Sequence, residues 1–406
     1  MHLASPGQCS NQRELSQINS YHASARIIPD RDSYPLPRSG ERAAHFIGNE
    51  IYRRPAFGKH HPLSGPRVAL VMDLCERLGW LDAQSLCASR PADEKTLSVF
   101  HTTDYLAAFR EADSTGRVSR EVRERYHLGT SSNPLFPGLF ERAATTVGGS
   151  ILAAELAMSG AIAYHPSGGT HHGRPDRASG FCYFNDPVFA VLTLLGHGLQ
   201  RVMYVDLDAH HGDGVQDAFA ADPRVFTLSI HEAGRWPHTG LVADRGQGRA
   251  RNLPVPRGFN DSELDYLMQT AVLSLSRRFE PQAVVITCGA DGLKGDPLSR
   301  MELSNVALWR AVLELVEASP RTVVLGGGGY NPWSVVRCWT GLWGLLSGKT
   351  LPQILPLEAQ QVLLGLECDL VENEDINPGW FTTLVDDPNQ AALRPELVEL
   401  AHRVLE

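Results

Sequence analysis

The stretch Val202-Met-Tyr-Val-Asp-Leu-Asp-Ala-His-His-Gly-Asp-Gly214 decides the fold of this chain and the place of its site. It begins with apolar residues, many of them β-branched or aromatic, which is the pattern of a buried strand. It ends with five side chains that can bind a metal: Asp206, Asp208, His210, His211 and Asp213. Residues two apart in an extended chain point to the same side. We therefore expect Asp206, Asp208 and His210 to share one face at the end of a strand.

Two carboxylates and an imidazole that converge lose solvation and repel, unless a cation or hydrogen-bond partners compensate. Their oxygen and nitrogen atoms suit zinc, or iron, manganese or cobalt in its place. A solvated acidic turn is the alternative, and the apolar run before it argues against that interpretation.

The chain alternates between short apolar runs and helical patterns after its first 160 residues. The predicted strands are 161–164, 202–205, 225–230, 283–287 and 322–325. The predicted helices are 66–78, 138–158, 185–195, 214–220, 262–279, 303–317 and 333–346. This alternation predicts an α/β fold, a parallel sheet with helices on both faces. The ligand site of such a sheet lies beyond the carboxyl ends of its strands, where all five unusual loops of this chain begin.

Composition narrows the class of protein. The chain has 406 residues, 43% hydrophobic and 20% charged, which is ordinary for a globular protein. Its net charge of −9 argues against a nucleic-acid partner, although basic peptides and amines remain possible substrates. The sequence has neither an apolar stretch of transmembrane length nor a signal-peptide core, so we expect no membrane association. A homo-oligomer is compatible with the sequence.

The cysteines and the polar N-terminus indicate the cellular compartment and the extent of the folded domain. Seven scattered cysteines without a CxxC pair predict reduced thiols and a cytoplasmic protein. Residues 1–45 are polar with little periodicity and predict a poorly ordered extension. Residues 46–406 are then expected to form the catalytic domain.

Candidate catalytic groups lie in the loops after the other strands. A catalytic zinc has three protein ligands, and Asp291, flanked by glycines, is the natural third partner of Asp208 and His210. Gly-Ala-Asp-Gly alone is more often a plain turn.

The tandem His171 and His172 in a glycine-rich loop suggest acid/base work, with Asp206 and Asp213 each free to hydrogen-bond one imidazole. Alternatively, the two aspartates cap the following helix. Tyr330, after four glycines, could donate a hydrogen bond to a carbonyl oxygen that gains negative charge. A phosphate cradle is the alternative there, but no Gly-Lys-Ser/Thr follows.

Phe181 and Trp236 could wall an apolar channel, and either could equally be core. Arg235, just before Trp236, could favour a substrate that bears a carboxylate.

Together these motifs resemble the zinc-dependent histone deacetylase family, and more closely its bacterial acetoin-utilisation-type members. The resemblance rests on ordered segments over most of the chain: His171-His172-Gly, Gly180-Phe-Cys-Tyr-Phe-Asn-Asp186, Asp206–Gly214, Gly289-Ala-Asp291 and Gly326-Gly-Gly-Gly-Tyr330. It implies the arginase/deacetylase fold, a single domain with a central parallel eight-stranded sheet flanked by helices on both faces.

The resemblance also implies a role for each matching residue. The zinc ligands would be Asp208, His210 and Asp291. The acid/base pair His171 and His172 would be backed by Asp206 and Asp213, and Tyr330 would polarise the acyl carbonyl. A structural potassium would be held by Asp206, Asp208, His210, Ser229 and Ile230, and Gly180, Phe181, Trp236 and Leu298 would contact the substrate.

The predicted function is hydrolysis of a linear amide, the removal of an acetyl or other acyl group from a lysine of a protein or peptide. Zinc is the expected metal, although two carboxylates and one imidazole also accept iron(II). The segment 129–134 lacks the acid that many lysine deacetylases carry at the tunnel rim, and Leu298 stands where polyamine deacetylases have an acidic residue. The alternatives are a deacetylase of a small acylated amine or polyamine, a binuclear manganese ureohydrolase and a catalytically silent scaffold.

Overall fold

Eight parallel strands form one sheet at the centre of the computed structural model, which describes residues 42–58 and 60–406. The strands are β1 (Ala44–Gly48), β2 (Leu86–Ala88), β3 (Ile162–His165), β4 (Val202–Asp206), β5 (Val225–Glu232), β6 (Ala250–Val255), β7 (Ala283–Thr287) and β8 (Thr322–Leu325). Their order is β2-β1-β3-β8-β7-β4-β5-β6, and every neighbouring pair is parallel. The predicted fold class is thereby confirmed.

The five predicted strands are all present, whereas β1, β2 and β6 are additional. The additional strands include both edges of the sheet, and β6 contains Arg251, Asn252 and Pro254, which are atypical of a buried strand. Strand β1 begins at Ala44, so the last two residues of the predicted extension belong to the sheet. The rest of that extension, residues 1–41, lies outside the described residues.

Thirteen α-helices are present in the described part of the chain. They are α1 (Arg67–Arg77), α2 (Glu94–Leu97), α3 (Thr103–Thr115), α4 (Arg120–Tyr126), α5 (Leu139–Met158), α6 (Asp186–Gly196), α7 (Asp213–Phe219), α8 (Asp261–Leu267), α9 (Leu273–Phe279), α10 (Asn305–Glu317), α11 (Pro332–Leu346), α12 (Leu357–Leu364) and α13 (Pro395–Leu405). A π-helical turn, Met268–Val272, joins α8 to α9, so the helix predicted over 262–279 is continuous but locally wider. None of the described helices is long and apolar enough to span a bilayer.

Helices cover both faces of the sheet. Successive side chains of a strand point to opposite faces, so the helices bury both sets. On one face α5 and α6 pack on the central strands, and Ala163, Tyr204 and Val285 share their apolar cluster. On the other face Trp343 of α11 packs edge-on against Phe46 with ring centroids 5.4 Å apart. Strands buried on both faces explain the nearly uninterrupted apolar runs in the sequence.

Buried tryptophans fix helix α11 in its place. The indole N–H of Trp339 donates to the Cys288 carbonyl at 3.0 Å, and that of Trp343 donates to Trp80 O at 3.0 Å. Trp309 of α10 donates to Cys338 O at 2.8 Å, and its ring lies close to Gly341. Each large ring therefore has a partner for its one polar atom, which removes the cost of burying it.

The contact between Trp309 and Gly341 leads to a stability prediction. A Cβ atom at position 341 would lie 2.2 Å from Trp309 Cζ2, so Gly341→Ala forces the ring or the helix to move. Overpacking of this kind costs about 1–3 kcal/mol, and we expect a lower unfolding midpoint by circular dichroism. Gly196→Ala at the end of α6, where no atom lies within 4 Å, should leave the midpoint unchanged or slightly raised. Equal midpoints for the two variants would contradict this packing.

A buried histidine links helix α6 to the loop that carries His171. His101 lies among the rings of Tyr105, Phe184 and Phe189. Its Nδ1 is 3.0 Å from Arg174 O, and the backbone N–H of Asn185 donates to its Nε2 at 3.3 Å. These partners require the neutral ring with its proton on Nδ1, and burial lowers its pKa to about 4.

This depressed pKa predicts a loss of stability in acid. The unfolded chain binds a proton at His101 near its ordinary pKa of about 6.5, whereas the folded protein resists protonation until about pH 4. Stability is therefore complete above that ordinary pKa and declines toward pH 4, with a slope of up to about 1.4 kcal/mol per pH unit. In chemical denaturation over this range His101→Gln should show a shallower decline than the wild-type protein. Identical slopes would contradict a neutral buried His101.

Candidate metal and acid/base site

The loops that follow the central strands meet at the carboxyl edge of the sheet. The backbone N–H of Cys288, after β7, donates to Gly326 O after β8 at 2.9 Å, and that of Glu232 donates to Ala209 O at 2.9 Å. Gly326 in turn donates to His165 O at 3.1 Å. The side chains that these loops carry are therefore brought together by main-chain bonds.

Asp208, His210 and Asp291 form one cluster of possible metal ligands, with one atom of each within 4.8 Å of the others. His210 Nδ1 lies 3.2 Å from Asp208 Oδ1 and 2.9 Å from Asp291 Oδ2. Both carboxylates are fully buried. Two buried anions around a single ring nitrogen need a positive charge between them, which a proton on His210 or a metal ion would supply.

The remaining carboxylate oxygens of the cluster are held by backbone N–H groups. Gly328 donates to Asp208 Oδ2 at 2.6 Å, and Ala209 donates to Asp291 Oδ1 at 2.9 Å. A Cβ at position 328 would lie 2.1 Å from Asp291 Oδ2, so only glycine permits this approach. These bonds orient Asp208 Oδ1 and Asp291 Oδ2 toward His210, which is the arrangement that a metal site requires.

The charges of the cluster shift the pKa values of its members. Burial opposes the ionisation of Asp208, but His171 and His210 outweigh it and hold the Asp208 pKa below its ordinary value. Burial and the charge of Asp208 raise the pKa of Asp291. Burial also opposes protonation of His210, but hydrogen bonds to Asp208 and Asp291 raise its pKa to about 10. The site is thus strongly attractive to a cation.

His171 and His172 form two parallel hydrogen-bonded pairs with aspartates. His171 Nδ1 lies 2.7 Å from Asp206 Oδ2, and His172 Nδ1 lies 2.7 Å from Asp213 Oδ1. The two rings are 3.9 Å apart. Each carboxylate accepts the Nδ1 proton, so the Nε2 atom of each ring is the one left for exchange of a proton with other groups.

The two histidines have opposite protonation tendencies. Burial disfavours charge on His171, but the carboxylates of Asp206 and Asp208 outweigh it and raise the His171 pKa to about 9. Burial and the neighbouring charge of His171 lower the His172 pKa to about 3. One proton is therefore held on His171, while His172 is neutral with a bare Nε2.

Further residues support the two pairs. The Tyr204 hydroxyl donates to Asp206 Oδ2 at 2.6 Å. The guanidinium of Arg174 forms a close ion pair with Asp213, and Asn185 Nδ2 donates to His171 O at 3.2 Å. Sequence reasoning did not select Arg174, although it stands only two residues after His172.

Tyr330 lies at the end of the four-glycine loop, buried at 8% exposure. Its backbone N–H donates to Asp296 Oδ2 at 2.7 Å. Arg67 Nη1 donates to Gly329 O at 2.8 Å and to Gly327 O at 3.2 Å. Burial and the charges of Asp291 and Asp208 raise the Tyr330 pKa well above its usual value, so the hydroxyl keeps its proton. Arg67 and Asp296 were missed because nothing in the sequence links them to this loop.

Two aromatic side chains stand beside these groups. The ring of Phe181 is 5.9 Å from that of Tyr330, and the ring of Trp236 is 4.6 Å from that of His172. Trp236 is 40% exposed, so it reaches from the buried groups to the surface. A Cβ at Gly180 would lie 2.2 Å from Trp236 Cη2, so this glycine lets the indole approach. Asn133 was not among the predicted site residues, yet its Oδ1 accepts a hydrogen bond from Phe181 N at 3.0 Å.

The last predicted substrate contact, Leu298, is half-buried beside the same site. Its backbone N–H donates to Asp296 Oδ1 at 2.9 Å, the carboxylate whose other oxygen holds Tyr330. Of the predicted potassium ligands, Asp206 pairs with Ser229 in the β4–β5 register, and Ile230 follows on β5. Ser229 Oγ lies 2.8 Å from His231 Nδ1. All predicted site residues therefore lie at one edge of the sheet.

Comparison with known proteins matches the chain to the histone deacetylase domain over residues 61–346. The acetoin utilization protein AcuC of Bacillus subtilis is 36% identical over 330 residues, 77% of this chain and 85% of that protein. Histone deacetylase 8 of Xenopus tropicalis is 35% identical over 298 residues, 71% of this chain and 80% of that protein.

Solved structures agree with these relatives. The crystal structure of a histone deacetylase homologue from Aquifex aeolicus superposes with a TM-score of 0.85 at 34% identity and covers 89% of this chain and 100% of that chain. A homologue complexed with SAHA gives the same values. The chain thus belongs to the histone deacetylase family and is a deacetylase of its acetoin-utilisation type.

Proposed function

We propose that this deacetylase removes an acetyl or other acyl group from the lysine side chain of a protein or peptide. The observation that carries the proposal is the meeting of Tyr330, His172 and the donor cluster, with the ring of Phe181 beside Tyr330 and that of Trp236 beside His172. Two aromatic walls fit the apolar methylene chain of an acyl-lysine, whereas the buried polar groups fit its amide.

Zinc is the metal that we propose for Asp208, His210 and Asp291, with iron(II) as the alternative, because the donors are two oxygens and one nitrogen. When bound, such an ion would polarise the acyl carbonyl and acidify water. We further propose a structural potassium near Asp206, Ser229 and Ile230, and a cytoplasmic location. The six described cysteines, all free thiols, support the latter.

The protein groups would act in sequence on the amide. Neutral His172 accepts the proton of the attacking water at Nε2 while its Nδ1–H remains on Asp213. The Tyr330 hydroxyl donates a hydrogen bond to the carbonyl oxygen as that atom gains negative charge. His172 then gives this proton to the lysine nitrogen as the C–N bond breaks, which releases the amine and the carboxylic acid, and the acid loses its remaining proton to the amine or to solvent. His171, whose Nδ1 bonds to Asp206, is the second member of the proposed acid/base pair.

A small acylated amine is the second candidate substrate. The segment 129–134 at the rim contains no carboxylate to hold a peptide main chain, which favours a substrate without one. The polar contacts of the buried groups would be the same for both substrates, so the two candidates share one mechanism and differ only at the rim.

Replacing Tyr330 tests the mechanism. Tyr330→Phe keeps the ring beside Phe181 and removes only the hydroxyl. Loss of one such donor typically lowers kcat by about 10²–10³, and we expect this loss on an acetyl-lysine peptide with little change in KM. Acetate release should be measured on zinc-loaded protein of unchanged unfolding midpoint. A near-normal kcat in the variant would rule out the proposed role.

Metal content tests the donor cluster without reference to activity. We expect one tightly held zinc per chain after gel filtration, and little in Asp291→Asn, because an amide oxygen is a weaker ligand than a carboxylate. Zinc should also raise the unfolding midpoint of the metal-free wild-type protein but not that of the variant. Asp104→Asn, an exposed change in α3, is the matched control and should bind zinc normally. Equal zinc in all three proteins would place the metal elsewhere.

A further inference from the structure

A buried carboxylate joins the two loops beside the site. The side chain of Glu232, at the end of β5, is 3% exposed. Its Oε2 accepts from Arg300 N at 2.8 Å and lies 3.3 Å from Ser299 Oγ, both in the loop that contains Leu298. The same carboxylate binds Arg235, the residue before Trp236. Glu232 therefore holds one loop against the other.

Arg235 uses only part of its hydrogen-bonding capacity in this pair. Its Nε donates to Glu232 Oε2 at 2.5 Å and its Nη2 donates to Oε1 at 2.8 Å. A guanidinium has five N–H groups, so three remain, and they have no partner among the described residues of the protein. The side chain is 26% exposed, so part of it is open to solvent.

Arg235 directly precedes Trp236, which extends from the site to the surface. Trp236, its neighbour in the chain, contacts His172 and Gly180. Asp291 and Asp296 are close enough that their charges raise the pKa of Arg235, after the larger effect of its hydrogen bond to Glu232. The pair with Glu232 also compensates most of the arginine's charge. Arg235 is thus better suited to a neutral acceptor such as a carbonyl oxygen than to the capture of distant anions.

We propose that Arg235, held in place by Glu232, donates hydrogen bonds to a main-chain carbonyl oxygen of the substrate beside the acyl-lysine. Arg235 is then a specificity-determining residue that distinguishes a peptide from a small acylated amine. This inference rests on the proposed lysine deacylation. The fixed, planar fork supplies at the rim what the segment 129–134 lacks, a charged group that can grip a main chain.

Two substrates with the same acyl arm separate this role from a structural one. One is acetyl-lysine capped by an N-acetyl and a C-terminal amide group, and the other is N-acetyl-1,5-diaminopentane, which has no main chain. In Arg235→Lys and Arg235→Gln we expect kcat/KM for the capped lysine to fall about tenfold to a hundredfold, mostly through KM. Turnover of the diamine by the same preparations should change less than about twofold.

Arg257→Lys, an exposed arginine in the turn after β6, is the matched control and should leave both substrates unaffected. An equal loss on both substrates, or no loss on either, would overturn the assignment of Arg235. A wild-type enzyme that hydrolyses the diamine as efficiently as the capped lysine would overturn it too, while the Tyr330→Phe test of the mechanism would still hold. If the wild-type enzyme hydrolyses neither substrate, the proposed function fails along with this inference.

Discussion

The site depends on the close approach of two buried carboxylates, Asp208 and Asp291, to the same atom, His210 Nδ1. Carboxylates held in a buried position without compensation would take up protons, and the cluster would lose its attraction for a metal. Backbone N–H groups from Ala209 and Gly328 oppose this by stabilising the charged form, although burial and the charge of Asp208 still raise the pKa of Asp291. Gly328, in the loop after β8, is therefore needed for two reasons. A Cβ atom there would collide with the carboxylates, and its N–H stabilises the charge on Asp208 Oδ2.

A second consequence is the asymmetry of the histidine pair. Each ring has its own aspartate partner at the same distance, yet the charge of Asp208 also acts on His171, whereas Asp213 shares its charge with Arg174. The pKa of His171 is therefore raised, whereas burial and, after it, repulsion from His171, 3.9 Å away, lower the pKa of His172. His171 and His172 are chemically identical, but they differ in protonation because different residues surround their aspartate partners.

Residues that support the site residues without lying in the motifs could not be predicted from the sequence. Asp206, Asp208 and His210 follow a buried strand, so their common location at the sheet edge follows from the strand pattern and the parallel topology. Arg67 and Glu232 have no such signature, because Arg67 reaches the site from helix α1 and the partners of Glu232 at the end of β5 are far from it in the sequence. The strands β2 and β6 at the two edges, and β1 beside β2, were missed for a related reason. A short strand buried on one side has no long apolar run, and tertiary pairing decides its conformation.

Glu232 illustrates how a three-dimensional contact changes the meaning of a residue. From the sequence, Arg235 at the rim suggests affinity for acidic substrates, since an unpaired guanidinium attracts carboxylates at long range. Paired with a buried carboxylate, the same guanidinium produces little long-range field but keeps its short-range donors. Hydrogen bonds to a neutral carbonyl need only those donors at contact distance. The pair therefore favours recognition of a main chain, which every peptide has, over recognition of a particular charged side chain.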